Sequence, residues 1–147
     1  MEKVNEIKHA PKIQTSHAVL VIAGQYILQL RDNKPDISAA GQWSLFGGMK
    51  DSGETPLKAI KREIKEELLI EPSFKYLWLT DYYDDFVKTY VRTFFFEADV
   101  KNIWKNHKLM EGQAAGAFKF EQLKNLDIPL AIRSTLEIFH KSKKRKL

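Results

Sequence analysis

Three glutamates on one predicted helix are the residues of this chain best suited to carry out chemistry. Glu63, Glu66 and Glu67 occupy positions i, i+3 and i+4 of residues 56–68, so their side chains lie about one turn apart on one side of a helix. Like charges at this spacing destabilise a helix by roughly 0.2–0.5 kcal/mol per pair. A positive group is therefore expected beside them, and within the helix only Arg62 lies near, one turn before Glu66.

A hard divalent cation is another way to balance such a cluster. Mg²⁺ prefers oxygen ligands and commonly takes one or two carboxylates together with the phosphates of a substrate. The cluster therefore predicts metal-assisted phosphate chemistry. The competing interpretation is an acidic helix face in contact with solvent, which is the usual role of a charge run.

A glycine-rich loop and the helix that follows it position these carboxylates. Thr55 and Pro56 predict the start of the helix, with Thr at the N-cap and Pro at the first helical position. The apolar residues of the helix repeat with its period and form one stripe: Leu57, Ile60, Ile64 and Leu68. Since the glutamates lie at the edge of that stripe, the helix is expected to hold them close to the core.

The rest of the chain predicts a sheet that carries this helix. The predicted elements are strands at 16–23 and 25–30 around Gly24, strands at 74–79 and 87–98 around an acidic turn at 81–86, a loop at 110–117, a short strand or strand end at 118–120 and a helix at 129–141. Phe94, Phe95 and Phe96 are consecutive, so their strand is expected to be covered on both faces. Strands before and after a helix, with a second helix at the end, favour a mixed sheet between helices.

Length and composition favour one domain without disulfides. The chain has 147 residues, 44% of them hydrophobic, and no cysteine. Its longest apolar run, residues 18–23, is too short to span a bilayer, and the first residues lack the apolar core of a secretory signal. We therefore expect a cytoplasmic protein with no membrane partner, made of a polar lead-in (1–15), one domain (16–140) and a basic tail (141–147).

The basic charge of the chain is concentrated at its end. The net charge is +5, and the last seven residues hold five Lys or Arg side chains, so the body is electrically neutral. This distribution favours a solvated tail over a nucleic-acid-binding face, with a weak RNA or anionic-surface contact as the alternative.

The central stretch resembles the signature of the Nudix (MutT-like) hydrolase family. The matching pattern is Gly48, five residues, Glu54, seven residues, Arg62-Glu63-Ile64, one residue, Glu66-Glu67, one residue, Leu69 and Ile70. Leu69 replaces the glycine of that signature, and Phe46 stands where many members carry proline. The likeness extends over most of residues 16–140 and implies an α/β fold, the α/β/α sandwich with a mixed β-sheet between helices.

The resemblance also implies a reaction and a role for each matching residue. Water would attack a phosphorus of a nucleoside diphosphate linked to another group, with Mg²⁺ or Mn²⁺ as cofactor. By position, Glu66 and Glu67 would be the main metal ligands with the Gly47 carbonyl, Glu63 the general base or a further ligand, Arg62 the group that orients the carboxylates, and Gly48 and Glu54 structural. Glu111 matches a further ligand from a later loop, and a solvent-exposed loop acid is the alternative.

Substrate contacts are less defined by the sequence. Arg31 resembles a position that often meets phosphate, although a surface arginine is the alternative. Aromatic residues that could stack on a base are Trp43, Tyr82, Tyr83, Phe86 and Phe95, each also suited to packing. The four histidines show no ligand spacing and receive no role. The substrate class stays open among nucleotide sugars, nucleoside triphosphates including oxidised forms, and related small nucleotides, and a homodimer stays open too.

Two other functions compete with this hydrolase. A Nudix-fold module that binds a nucleotide for regulation would be expected to lack catalytic acids, yet Glu63, Glu66 and Glu67 are all present. An RNA 5′-end pyrophosphohydrolase would use the lysine-rich tail on the RNA backbone. We therefore favour a small nucleotide as partner.

Overall fold

A computed structural model describes residues 10–145 of the chain. Its strands are β1 (Ile13–Ile22), β2 (Gln25–Leu30), β3 (Trp43–Ser44), β4 (Phe46–Met49), β5 (Lys75–Asp84), β6 (Thr89–Asp99) and β7 (Ala114–Phe118). Its α-helices are α1 (Pro56–Leu68) and α2 (Leu130–Arg145), and Trp104–Asn106 and Phe120–Asn125 are short 3₁₀ helices. The parts of the predicted lead-in and tail at 1–9 and 146–147 lie outside the described residues.

One seven-stranded mixed sheet is organised around β1. Strand β1 runs parallel to β6 along one edge. Along its other edge, its first half pairs antiparallel with β4 and its second half pairs antiparallel with β2. Strands β3 and β7 pair with β2, and β5 pairs with β6 at the outer edge. The mixed sheet of the predicted α/β sandwich is confirmed.

Two apolar cores cover the two faces of this sheet. Helix α1 buries Ile60, Ile64 and Leu68 on one face together with Phe96, whereas α2 packs on the face that carries Phe95. Adjacent residues of β6 thus enter opposite cores because successive side chains of a strand alternate, which confirms that this strand is covered on both faces. Leu57 differs from its prediction, since it is 39% exposed in the first turn of α1.

The ends of α1 follow the signals in the sequence. Thr55 is the N-cap, and its side chain accepts the Lys58 N–H at 3.1 Å, with Pro56 at the first position. At the other end, Leu69 adopts the left-handed conformation (φ 55°, ψ 34°) and its N–H donates to the Lys65 carbonyl at 3.0 Å. Leucine thus takes the conformation that glycine would adopt freely, at a cost of about 1 kcal/mol.

The hairpin of β5 and β6 is longer than predicted. Asp81 and Tyr82 belong to β5, and only residues 85–88 separate the two strands. The reason is cross-strand pairing, because Arg92 on β6 donates to both carboxylate oxygens of Asp81, at 2.7 and 2.9 Å. Such pairs stabilise a sheet and outweigh the turn preference of an acidic segment.

Three other boundaries also differ. Strand β1 starts at Ile13, inside the predicted lead-in, because its parallel register with β6 begins there. The second half of the predicted loop at 110–117 is strand β7, whose small residues pair with β2. Helix α2 continues through most of the predicted tail, and Lys143 pairs with Glu97 at 2.8 Å. No helix within residues 10–145 has the length and apolar character needed to cross a membrane.

Candidate active site

Arg62 connects the glycine-rich loop to the carboxylates of α1. Its Nε and Nη2 donate to the two carboxylate oxygens of Glu54 at 2.8 and 2.9 Å, and Nη2 also donates to the Met49 carbonyl at 2.9 Å. Its Nη1 donates to Glu63 Oε1 at 2.8 Å and lies 3.5 Å from Glu66 Oε2. The positive group expected beside the glutamates is therefore Arg62, in the fork geometry that suits a carboxylate.

Glu54 secures the loop as well as the helix. Its Oε1 accepts the Asp51 N–H at 2.9 Å, and its carbonyl accepts from the Lys50 ammonium at 2.9 Å. The hydrogen bonds from Arg62, with that from Asp51, lower the pKa of Glu54 to about 2. Glu54 is thus ionised at neutral pH and bridges the loop to Arg62.

Glu67 is a buried carboxylate at the centre of the cluster. It is 1% exposed, and its Oε1 accepts the Gly47 N–H at 3.0 Å. Burial is the largest cause and the nearby charges of Glu63 and Glu111 act in the same direction, and together they raise the pKa of Glu67 to about 9. Burial likewise raises the pKa of Glu63, although its hydrogen bond from Arg62 opposes the change. The protein therefore holds several carboxylates where their charges repel.

Two glycines allow the loop to approach these carboxylates. A Cβ on Gly47, where φ is 147°, would lie 2.2 Å from the Ser16 carbonyl, and a Cβ on Gly48 would lie 2.6 Å from the Glu63 carboxyl carbon. A side chain at either position would displace the backbone or the carboxylate. The structural role predicted for Gly48 is thus explained by contact with Glu63.

Glu111 is brought to the cluster by a backbone connection. The N–H groups of Lys108 and Met110 donate to the Leu68 and Glu67 carbonyls at 3.0 and 2.9 Å, at the end of α1. Gln29 on β2 donates to the Glu111 carbonyl at 3.1 Å. The loop is thereby fixed close enough for the charge of Glu111 to raise the pKa of Glu67.

Arg31 also lies near this cluster. Its Nε donates to the Ser38 carbonyl at 2.9 Å, and its positive charge acts to lower the pKa of Glu67. Burial, with a smaller contribution from the charge of Arg31, lowers the pKa of His17 to about 4.

The aromatic candidates are dispersed. Trp43 packs edge-to-face on Phe118, with ring centroids 4.9 Å apart, and Phe95 is buried in the core under α2. Tyr83 is half exposed and packs on Tyr90, and Phe86 is half exposed beyond the end of β5. Tyr82 is half-buried, and its hydroxyl accepts from Thr93 at 3.3 Å. The hydrogen bonds and ion pairs described for the cluster do not include these five residues.

A comparison of the sequence with models of protein families identifies the family of this chain. The NUDIX domain model matches residues 12–137. The chain belongs to the Nudix family. No curated protein sequence gives a significant match.

Solved structures agree with the Nudix fold. A MutT protein from Methanosarcina mazei Go1 is 21% identical with a TM-score of 0.78, over 92% of this chain and 98% of that one. A MutT NUDIX hydrolase from Burkholderia pseudomallei is 26% identical with a TM-score of 0.67, over 85% and 95%. The NUDIX domain of Shewanella oneidensis NrtR, solved with ADP ribose, is 15% identical with a TM-score of 0.73, over 96% and 92%.

The donor groups of this Nudix domain suit a hard divalent cation. Within residues 10–145, no three acidic or histidine side chains are already spaced as a set of metal ligands, and Arg62 holds one oxygen of Glu63. The donors are nevertheless all oxygens, and Glu67 is a buried carboxylate with Glu63 and Glu111 as like-charged neighbours. A cation among them would remove this repulsion, so the residues fit the metal that Nudix hydrolases use.

Sequence reasoning missed two contributors to this Nudix site. Ser16 on β1 donates to the Pro56 carbonyl at 2.9 Å and joins the sheet to the start of α1. His17 received no role, yet its ring lies against the Gly47 backbone, since a Cβ on Gly47 would be 2.9 Å from His17 Cδ2. Neither has a signal in the sequence, because the Ser16 contact depends on the packing of α1 against β1 and the His17 contact depends on the pairing of β1 with β4.

Proposed function

We propose that this Nudix domain hydrolyses a phosphoanhydride bond in a nucleoside diphosphate linked to another group, with Mg²⁺ as cofactor and Mn²⁺ as a substitute. The observation that carries the proposal is the position of Glu67, buried beside Gly47 with Glu63 and Glu111 as neighbouring carboxylates. Burying a carboxylate beside other carboxylates is costly, and a site that does so is suited to a cation and to the phosphates that accompany it.

Each residue of the cluster has a role in the proposed reaction. Glu66, Glu67 and the Gly47 carbonyl would hold the metal, with Glu111 as a further ligand, and Glu63 would be either a further ligand or the general base. When bound, the cation supplies charge stabilisation to the phosphate oxygens and lowers the pKa of water. Arg62, through its bonds to Glu54 and Glu63, keeps the helix carboxylates in place.

Glu63 is also the candidate general base. Its Oε1 accepts from Arg62, which leaves Oε2 available to take a proton from the attacking water. Burial raises the pKa of Glu63, and a carboxylate with a raised pKa is a stronger base than one in water. Glu63 would thus take the proton, whereas Glu66 and Glu67 would hold the cation.

The substrate is proposed to be a small nucleotide of the cytoplasm. Arg31 donates to the Ser38 carbonyl in the loop at 32–42 and lies close enough to Glu67 to act on its pKa, so its positive charge can bind a phosphate of a substrate at the cluster. Nucleotide sugars, nucleoside triphosphates including oxidised forms, and related compounds all carry the required diphosphate.

A screen of these nucleotides with Mg²⁺ or Mn²⁺ tests the proposal, with products identified by mass. We expect cleavage of a phosphoanhydride bond, loss of activity in EDTA and recovery when the metal is added back. Tight binding of a nucleotide without cleavage in either metal would instead identify a binding module and overturn the enzyme assignment.

A further inference from the structure

Gln29 is a buried amide on the face of the sheet that α1 covers. Gln29 and Glu67 are the only amide or charged side chains buried within residues 10–145, and Gln29 is 2% exposed. It follows Ile27 by two residues on β2, and Ile27 belongs to the core under α1, so both side chains face that helix. Burying an amide costs free energy unless it is hydrogen-bonded, so the partner of Gln29 indicates its role.

That partner is the loop that carries Glu111. Gln29 Nε2 donates to the Glu111 carbonyl at 3.1 Å. The next residue of the loop lies against the same side chain, since a Cβ on Gly112 would be 2.9 Å from both Cγ and Nε2 of Gln29. Gly112 also has a φ of 83°, in the left-handed region that favours glycine. The loop therefore rests on Gln29 at two consecutive residues.

Backbone hydrogen bonds hold the loop on either side of Glu111. The Met110 N–H donates to a carbonyl of α1 at 2.9 Å, and the Gln113 N–H donates to the Leu30 carbonyl on β2 at 2.8 Å. These two bonds fix the ends of the turn. Between them, the bond from Gln29 orients the peptide group that follows Glu111.

The carboxylate of Glu111 depends on its backbone for its position. Glu111 is exposed, and within residues 10–145 no hydrogen bond or ion pair holds its carboxylate. Such a side chain reaches a metal only when its Cα is correctly placed. Gln29 acts on that Cα through the adjoining peptide group, so a buried side chain of β2 controls where an exposed carboxylate is directed.

We propose that Gln29 is a positioning residue of the metal site, which holds the loop so that the Glu111 carboxylate is directed to the cation held by Glu67. This inference rests on the proposed function, because it takes Glu111 as a metal ligand. In this role Gln29 contacts neither the metal nor the substrate, and it acts only through Glu111.

Gln29→Met tests the proposal, because methionine keeps the length of the buried side chain and removes the Nε2 donor. We expect the dissociation constant for Mn²⁺, measured from the electron paramagnetic resonance signal of the free ion, to rise about tenfold. Gln29→Asn, whose amide is one methylene shorter, should show a similar rise and serves if the methionine variant does not fold. Wild-type affinity for Mn²⁺ in a folded variant, as judged by circular dichroism, would overturn the inference.

Gln14→Met is the matched control. Gln14 Nε2 on β1 donates to the Pro11 carbonyl at 3.1 Å, which is the same kind of bond at the same length. The substitution removes one glutamine bond to the backbone but leaves the Glu111 loop untouched, so Mn²⁺ affinity should be unchanged. An equal loss of affinity in Gln14→Met would show that the metal site responds to any loosening of the sheet, and the role assigned to Gln29 would be wrong.

A double-mutant cycle separates positioning from a general structural role. Glu111→Gln should itself bind Mn²⁺ more weakly than the wild type. Adding Gln29→Met to it should change Mn²⁺ affinity by less than about twofold, since the group on which Gln29 acts is gone. A second loss as large as that in the wild-type background would overturn the inference. Wild-type affinity in Glu111→Gln would do the same, because Glu111 would then not be a ligand.

Failure of the proposed function has a different signature. If the wild type binds Mn²⁺ but cleaves no nucleotide, the hydrolase assignment fails, whereas the Mn²⁺ affinities of the variants still decide the role of Gln29. A wild type that binds no Mn²⁺ would overturn both.

Discussion

The two sides of the first half of β1 are built from opposite kinds of groups. On one side, Ser16 bonds to the start of α1, and that helix carries ionised groups held by Arg62. On the other side, the hydroxyl of Thr15 joins those of Thr93 on β6 and Tyr82 on β5, and His17 lies on the same face as Thr15. Charge is thus concentrated on the face of β1 that contacts α1, here called the helix side. Neutral hydrogen-bonding groups line the opposite face, here called the sheet side.

The two sides differ in how the amino-acid sequence specifies them. The helix side comes almost entirely from one continuous segment, residues 47–67, in which short connections bring Glu54, Arg62 and Glu63 together. The sheet side needs residues 15, 82 and 93 to meet through strand pairing. The first can therefore be recognised as a sequence pattern, and the second appears only when the strands are placed.

Removing the buried charge on the helix side should have the largest effect. Glu67→Gln keeps the size of the side chain and its contact with the Gly47 N–H, but it removes a carboxylate ligand. We expect kcat to fall by roughly 10²–10⁴-fold with an unchanged circular dichroism spectrum. Glu71→Gln, at an exposed glutamate just past α1, is the control. Normal turnover in Glu67→Gln would show that the metal site has been placed on the wrong residues.

Arg62→Lys, also on the helix side, should have a smaller effect on turnover than Glu67→Gln. Lysine keeps the charge but cannot bind Glu54 with two nitrogens and reach Glu63 as well. We expect kcat to fall by roughly 10–100-fold, with a modest loss of thermal stability. Arg92→Lys, which weakens the comparable pair with Asp81 on the β5–β6 hairpin, should lose stability without this loss of turnover. Equal activity in the two variants would contradict a positioning role for Arg62.

The metal-free protein should lose stability as the pH rises. The folded pKa of Glu67 is about 9, above that of an ordinary glutamate, so the folded state keeps a proton that the unfolded chain releases above a pH of about 4.5. Stability contributed by this proton is present below that pH and is lost as the pH approaches 9.

Melting curves in EDTA at several pH values measure this effect. Glu67→Gln should melt roughly 5 °C above the wild type near pH 8.5 and close to it near pH 5. Addition of Mg²⁺ should stabilise the wild type more than the variant. If the melting temperatures of the two proteins change with pH in parallel, the fold does not hold Glu67 in its protonated form.

Leu69→Gly should have the smallest effect, and it should be stabilising. Leu69 is half exposed and left-handed, so glycine relieves backbone strain and loses little burial, although it adds entropy to the unfolded chain. We expect a gain of about 0.5 kcal/mol in the free energy of unfolding, measured by urea titration. Leu69→Ala retains the strain and should give no gain. A loss of stability in Leu69→Gly would mean that the leucine side chain matters more than its backbone.

Much of the helix side could be predicted from the sequence because its interactions are local. Thr55 and Pro56 define the start of α1, and the spacing of Arg62 and the glutamates predicts their common side. Leu69 shows the limit of such reasoning. The sequence has leucine where the family signature has glycine, and only the structure shows that this leucine adopts the left-handed conformation.

The sheet side could not be predicted because its contacts are between distant segments. An acidic, aromatic segment has the composition of a turn, yet Asp81 and Tyr82 lie in β5, where Arg92 and Thr93 on the neighbouring strand bind them. Likewise, nothing near His17 in the sequence indicates that its ring will lie against Gly47. Side chains whose partners are on other strands carry no local spacing from which to infer them.

The attachment of the Glu111 loop to α1 has a consequence for how this domain can vary. The loop is held at the end of the helix by the N–H groups of Lys108 and Met110, which every residue except proline possesses. Side chains at these positions can therefore be exchanged without releasing the loop. A laboratory library that varies positions 108 and 110, excluding proline, should retain folded and metal-competent proteins while exploring new substrates.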